Sequence, residues 1–315
     1  MQEHNVFEVE SQMYFSVIPE MEQMYQKAGK TVRFGPRGLK LPIAENYILL
    51  EDLRPQGFKN ANRLEGLDMN HCKQVLQKLA LWHAASASRV ALKGNYPDLI
   101  GQDLMQETGR KEMKEMFASS IAIIEKALLN YQGHEDYVEP LKNLLPHVID
   151  QVYDLAQFDK TEFNVLNHGD AWCNNVMFQY SSKGDIQQTY LVDYQLPMYG
   201  TPAEDLYLFL LSSPKLENKI SKFDEMIKYY HDHLIENLKL LKYTLKIPTL
   251  KDIHASLLKY SILGVHTVFG IMGVVLVDPS EKANMENFLN DPEFKMQIYN
   301  NQRFKSHMEV ILPWL

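Results

Sequence analysis

Asn167-His168-Gly169-Asp170-Ala171-Trp172-Cys173-Asn174-Asn175, followed by the apolar pair Leu191-Val192 running into Asp193-Tyr194-Gln195, is the most informative part of the chain. Phosphoryl transfer needs one carboxylate to accept or orient the proton of an acceptor hydroxyl. It also needs an amide and a second carboxylate to hold Mg²⁺ on the phosphates of a nucleotide. Asp170, Asn175 five residues on, and Asp193 at the end of an apolar strand supply that set in that order. Asp170 would be the base, and Asn175 and Asp193 the metal ligands. Hard oxygen donors of this kind suit Mg²⁺, which takes few protein ligands alongside phosphate and water.

Outward from this stretch, the pattern predicts short strands at Asn164–Asn167, Asn175–Phe178 and Thr189–Asp193, a small sheet bearing loops. Before it the chain is helical. Met69, Cys72, Val75/Leu76, Leu79 and Trp82/His83 form one apolar stripe, Met113 to Leu128 a second, and Val138 to Val152 a third. After it, Leu216 to Leu241 and the segment from Tyr260 return to helical spacing. Near the start, Phe7, Tyr14, Ile18 and Met21 predict a helix that Pro19 kinks or ends early. Thr31–Pro42 and Tyr47–Leu53 read as two adjacent antiparallel strands, and Arg54-Pro-Gln-Gly as a linker. The whole describes an α+β, bilobal protein: residues 1–54 a residual small lobe, and 55–315 a large, mainly helical lobe carrying the catalytic and metal-binding loops.

Composition excludes other classes. At 315 residues with a net charge of −8, the chain has no long basic run, so neither nucleic acid nor an anionic membrane is an expected partner. The two cysteines make no disulfide framework and no four-ligand zinc site, and they suit a reducing compartment. Met1-Gln-Glu-His-Asn reads as no signal peptide. Tyr260–Val277 carries no formal charge and approaches spanning length, but its His266, Thr267, Ser261 and three glycines read better as a buried core helix than as a stable membrane insertion. The expected location is cytoplasmic. His231, His233, His254 and His266 are read as surface or core residues, and the absence of a Gly-x-Ser-x-Gly elbow excludes the usual Ser-His-Asp hydrolase.

His-Gly-Asp-x-Trp-x-x-Asn-x-Met-Phe, then a strand ending Asp-x-Gln, then Asp205-Leu206 with Phe209, resembles the ecdysteroid-kinase-like (CHK) branch of the aminoglycoside- and choline-kinase-type folds. Glu10-x-x-x-Tyr14 resembles the family's counterpart of the helix with the ion-pair Glu, with Glu8 as the competing choice. Leu49-Leu-Glu51-Asp52-Leu53 resembles the hinge, whose backbone would receive the adenine of ATP, and Leu79-x-x-x-His83-Ala-Ala-Ser the helix after it. The resemblance implies an ATP- and Mg²⁺-dependent phosphotransferase acting on a hydroxyl of a small molecule, an ecdysteroid-like sterol or a xenobiotic alcohol phosphorylated in detoxification. A non-catalytic, pseudokinase-type protein binding nucleotide or steroid is the alternative.

The resemblance also implies a phosphate-covering loop and a strand Lys ahead of the first helix, where this sequence has no counterpart. Lys30, Arg33, Arg37 and Lys40 all follow that helix. The expectation is a truncated small lobe, an inactive and poorly expressed chain, and an unpaired edge near Thr31–Leu41. Three further readings complete the site. His168 is a structural histidine bonded to the backbone of its loop. Asp205 is an N-cap that also supports that loop, and Trp172 is a packing or substrate-wall residue. Trp82, Met113, Met116, Phe117, Phe269 and Met272 suit an apolar ligand, though such stripes are more often plain core.

Overall fold

The computed structural model describes residues 6–41, 47–97, 99–100, 107–155, 159–280 and 283–315. Residues 1–5, on which the signal-peptide reading rests, and Pro42 lie outside these. The first apolar stripe folds as α1 (Val6–Gln12), a π-helical turn over Met13–Val17, and α2 (Ile18–Lys27), with helical dihedrals across both junctions. Pro19 does not end this run. It follows directly on the π-helical turn, whose wider register takes up a residue that has no N–H to donate. The wide turn lies upstream and puts Met13, Tyr14 and Val17 into the core.

β1 (Gly38–Leu39) and β2 (Leu49–Leu50) pair antiparallel, as the sequence predicts, but each is two residues long. Ahead of them the chain is tied to β6 at Phe34, while β1 itself pairs only with β2 among the described residues. The Leu191 N–H donates to the Phe34 carbonyl at 2.8 Å, and the buried Phe34 ring lies edge-on to Trp82 at 5.1 Å and tilted to Tyr25 at 6.2 Å. Arg54-Pro-Gln-Gly is a single 3-10 turn closed by Gly57 at φ +79, not a linker. It feeds directly into β3 (Phe58–Lys59), because Phe58 buries against Leu53 and stacks on Tyr190 with ring centroids 4.5 Å apart.

α3 (Met69–Lys93) starts where the Asp68 carboxylate accepts the His71 N–H, and it stops at Gly94. α4 (Glu107–Leu128) follows. The third stripe is split: Pro146 in a 3-10 turn over Leu145–His147 separates α5 (Val138–Leu144) from α6 (Val148–Leu155). β4 (Val165–Asn167) pairs antiparallel with β7 (Met198–Gly200). Between them in sequence, β5 (Val176–Tyr180) and β6 (Ile186–Leu191) make a hairpin, and β3 joins the free edge of β5.

α7 (Ala203–Ser212), α8 (Leu216–Lys219) and α9 (Phe223–Leu240) follow, with α9 packed along α3. α10 (Leu250–Lys259) opens on a capping box between Thr249 and Asp252. α11 (Ile262–His266), a π turn over Thr267–Ile271 and α12 (Met272–Leu276) form the long apolar segment, whose Val265, Val268, Phe269 and Met272 are core. Among the described residues no single helix is long and apolar enough to cross a membrane; α10 and α11–α12 reach that length only together, across a 59° bend. α13 (Met285–Asn290), α14 (Pro292–Asn300) and α15 (Gln302–Ile311) complete a mainly helical α+β chain. One core cluster runs from Val9 in α1 to Leu312 beyond α15.

Because Phe34 fills a site between α2, α3 and β6 that no other side chain occupies, Phe34→Ala should cost about 3–5 kcal/mol in urea unfolding. A loss below about 1 kcal/mol would show that this segment is not seated in the core.

Candidate active site

The loop from His168 to Asn175 is held from beneath by one buried carboxylate. Asp205 is not the cap of α7; Pro202 occupies that position, and Asp205 lies inside the first turn. Its Oδ2 accepts the His168 N–H at 2.7 Å, and its Oδ1 accepts the Gly169 N–H at 3.0 Å. The Nε2 of His83 on α3 lies 3.0 Å from Oδ2, while His83 Nδ1 meets the Tyr230 hydroxyl on α9 at 2.7 Å. Burial alone would raise the Asp205 pKa, but the His83 hydrogen bond and charge, with His168 beside it, hold it below the usual value. The loop can approach this carboxylate closely because residue 169 is glycine: φ is +79, and a Cβ there would lie 1.7 Å from the Leu196 carbonyl oxygen.

His168 behaves as a structural ring. The Asp170 N–H donates to its Nδ1 at 3.3 Å, which places the ring proton on Nε2. Burial lowers its pKa to about 4, with Asp205 and the Val192 carbonyl opposing, so the ring is neutral at pH 7. Tyr194 packs on it at 4.5 Å.

The β5–β6 pairing brings the second carboxylate to the first. Val176 lies opposite Leu191, and the Val192 N–H donates to the Asn175 carbonyl at 3.0 Å. Asn175 Nδ2 donates to Asp170 Oδ2 at 2.7 Å and reaches the Asp170 carbonyl at 3.0 Å. The Asp170 pKa rises to about 6, through burial first and the Asp193 charge second, while the Asn175 amide and Trp172 indole pull it down. Asp193, at φ +67, has its own pKa raised by burial. A non-glycine residue in that left-handed region stores strain of roughly 1–3 kcal/mol.

The third carboxylate comes from α1. Glu10 is half-buried, and its pKa is raised by burial and then by the Asp193 charge, against a hydrogen bond from the Tyr194 backbone. Glu8 is exposed. Between the two helical faces it is therefore Glu10 that meets Asp193. One turn on, Tyr14 sets its ring edge-on to Tyr194, 5.6 Å between centroids.

The donor set fits a divalent cation. The Asp193 charge adds to burial in raising the cost of ionising Asp170, burial alone raises that of Asp193, and among the described residues no Lys or Arg contributes to either shift. Asn175 Oδ1 adds a neutral oxygen. No three His, Cys, Asp or Glu side chains converge as a closed metal cage among the described residues. An incomplete shell of hard oxygens is what Mg²⁺ on a phosphate chain requires.

The hinge residues are not drawn into this cluster. The Glu51 carboxylate accepts from Arg33 Nη2 at 3.1 Å, the Arg37 N–H at 3.3 Å and Gln56 Nε2 at 2.9 Å. Asp52 grips Arg54 through Nε at 3.0 Å and Nη2 at 2.9 Å. Leu53 is buried against Phe58 and Tyr190, and its carbonyl takes the N–H groups of Gln56 and Phe58. These side chains brace the turn. The aromatic stripes are core: the Trp82 indole donates to the Leu166 carbonyl at 2.6 Å, and Phe117, Phe269 and Met272 are buried. The pairing of His83 with Asp205 was not legible, since nothing local marks two residues that far apart as partners.

A sequence model of the ecdysteroid kinase-like family matches residues 1–243. The chain belongs to that family. Solved structures similar to it include a choline kinase from Cryptosporidium parvum Iowa II (12% identity, 96% of this chain and 80% of that one, TM-score 0.47). A Plasmodium vivax ethanolamine kinase matches at 12% identity over 93% of this chain and 74% of that one, TM-score 0.43. A choline/ethanolamine kinase family protein from Mesorhizobium loti matches at 11% identity over 93% and 82%, TM-score 0.38. No curated protein matches.

Asp205→Ala leaves two backbone N–H groups and the His83 ring without their acceptor and should cost about 3–5 kcal/mol in chemical denaturation. The folded pKa is the lower one, so the carboxylate's contribution is present above the unfolded value near pH 4 and is lost as pH falls through the folded one. The acid limb of the stability–pH curve should therefore be shallower in Asp205→Asn than in the wild type.

Proposed function

We propose that this member of the ecdysteroid kinase-like family is an ATP- and Mg²⁺-dependent phosphotransferase whose acceptor is a hydroxyl of a small molecule. The observation that carries the reading is the placing of Asp170 with Asp193, where burial first and the charge of the second carboxylate next raise the Asp170 pKa to about 6, with Asn175 bonded to the first. Such crowding is unfavourable in a resting protein unless a cation and a proton acceptor are wanted there. Residues 1–54 would then act as the small lobe and 55–315 as the large one, with the backbone of Glu51 to Leu53 serving the adenine.

In this scheme Asp170 orients the acceptor hydroxyl and takes its proton as that oxygen bonds to the γ-phosphorus and the bond from this phosphorus to the bridging oxygen breaks, leaving ADP with the electron pair. Asn175 keeps the Asp170 carboxylate in place through Nδ2. Asn175 Oδ1 and Asp193 would hold Mg²⁺, which supplies charge neutralisation on the phosphates. Glu10, near Asp193, would be the helix glutamate of the family's ion pair. The family's name supports a sterol of the ecdysteroid type as acceptor, and a xenobiotic alcohol is the same chemistry. A location in the cytoplasm accords with the two free, buried cysteines.

Asp170→Asn should lower kcat by at least about a hundredfold with little change in nucleotide affinity, because the amide keeps the shape but accepts no proton. Asp193→Ala should instead weaken Mg²⁺-ATP binding itself, measured by calorimetry, and Asn175→Ala should do so more mildly. Mg²⁺-ATP binding without phosphate transfer to any of a panel of sterols and alcohols would favour the non-catalytic alternative.

The acid side of the pH profile gives an independent check. A base with a pKa near 6 is ionised above that value, so kcat/KM should fall as pH drops through about 6. The apparent value belongs to the Asp170–Asp193 pair, and a flat profile from pH 5 to 8 would remove Asp170 from the role of base.

A further inference from the structure

A polar cavity, about 420 Å³ in volume, opens between residues 30–33 after α2, the helix α3 and the strand β6, and shares no lining residue with the acidic cluster. Its wall holds Lys30, Arg33 and Lys78, with the amides of Gln74 and Gln77 and the hydroxyl of Thr189, and no carboxylate. The charges nearby are sorted. Glu20 and Glu22 line the neighbouring groove on the other side of Thr31–Arg33, where Glu22 lies 3.8 Å from Arg33 Nε. Glu51 takes the far end of the same guanidinium at 3.1 Å. Arg33 is thereby neutralised from behind.

Lys30 and Lys78 are not. Lys30 Nζ donates to the neutral Asn237 Oδ1 at 3.0 Å and Lys78 Nζ to the Arg33 carbonyl at 2.6 Å. Among the described residues neither makes an ion pair. Burial, with Lys30 and Arg33 as close like charges, lowers the Lys78 pKa to about 8, against Glu22. The donors in this wall are also under-used. The Thr189 Oγ1 is buried with no hydrogen-bond partner, Thr189 being 4% exposed. A wall of unspent donors and surplus positive charge calls for an acceptor with several oxygens.

We propose that this cleft binds a small molecule bearing a phosphate or diphosphate, gripped by Lys30 and Lys78 above the buried Thr189 hydroxyl, at a site separate from Asp170 and Asp193. The inference stands whether or not the chain transfers phosphate. Its position gives it a consequence: Arg33 reaches Glu51 in the turn before β3, and Phe34 is bonded to Leu191 two residues ahead of Asp193. An oxyanion that draws on Lys78, whose Nζ is bonded to the Arg33 carbonyl, therefore pulls on both elements that flank the acidic cluster.

Pyrophosphate is the probe, titrated calorimetrically at fixed ionic strength in EDTA, where the acidic cluster holds no metal and repels anions. Saturable binding is expected, weakened about tenfold in Lys78→Met and in Lys30→Met, since each removes a charged donor to the oxyanion. Lys78→Arg should retain it, Thr189→Val should weaken it less than the lysine variants, and Asp193→Ala should leave it unchanged. Lys228→Met, at an exposed ion pair on α9, controls for net charge. No saturable heat in the wild type, or affinities in Lys30→Met and Lys78→Met equal to that of the Lys228 control, overturns the proposal. Lys30 is only half-buried, so that variant keeps the test valid if Lys78→Met fails to fold.

Discussion

The buried carboxylate of Asp205 is the point on which the site depends. It is a charge with no access to water, and it is tolerable only because two loop N–H groups and an imidazole converge on it. Those three donors come from different parts of the chain, the loop after β4 and the middle of α3. His83 is in turn set by Tyr230 on α9. Satisfying one charge therefore fixes the positions of α3, α7 and α9 relative to the loop that carries Asp170. The loop's shape follows from this anchoring more than from its own sequence.

From that anchor a continuous line of contacts reaches the N-terminal helix. His168 lies on Tyr194, Tyr194 meets Tyr14, and Glu10 stands one turn before Tyr14 and faces Asp193. Tyr194 also packs on Trp82. A shift of α1 by an ångström moves a ring in contact with the residue next to Asp193, so the geometry of the acidic cluster and the seating of α1 are one problem. The π-helical turn matters here, because one extra residue per turn changes which face of the helix Tyr14 presents.

The sequence made legible whatever depends on residue type at short spacing. Asp170, Asn175 and Asp193 are separated by a loop and a hairpin, and the hairpin's own apolar alternation brings them together. Stripes along α3 and α4 were legible for the same reason. Asp205 is a different case: an Asp at the head of an apolar run satisfies the local rule for a cap, and only the distant demand of the His168 and Gly169 amides overrides it. Pro19 and Pro146 show the limit from the other side. The first falls where a helix tolerates proline and the second where it does not, and apolar periodicity cannot tell the two places apart.

The bond between Phe34 and Leu191 has a consequence for how the chain is made. The two residues are 157 positions apart (191 − 34). At about 5–20 residues per second on a ribosome, the first is exposed for roughly 8–30 seconds before the second exists. α3 emerges sooner, and its Trp82 and Leu81 can receive Phe34 and the Tyr25 hydroxyl early. The nascent N-terminal third thus has a provisional shelter within itself, and the strand that completes it arrives as a late-fitting closure.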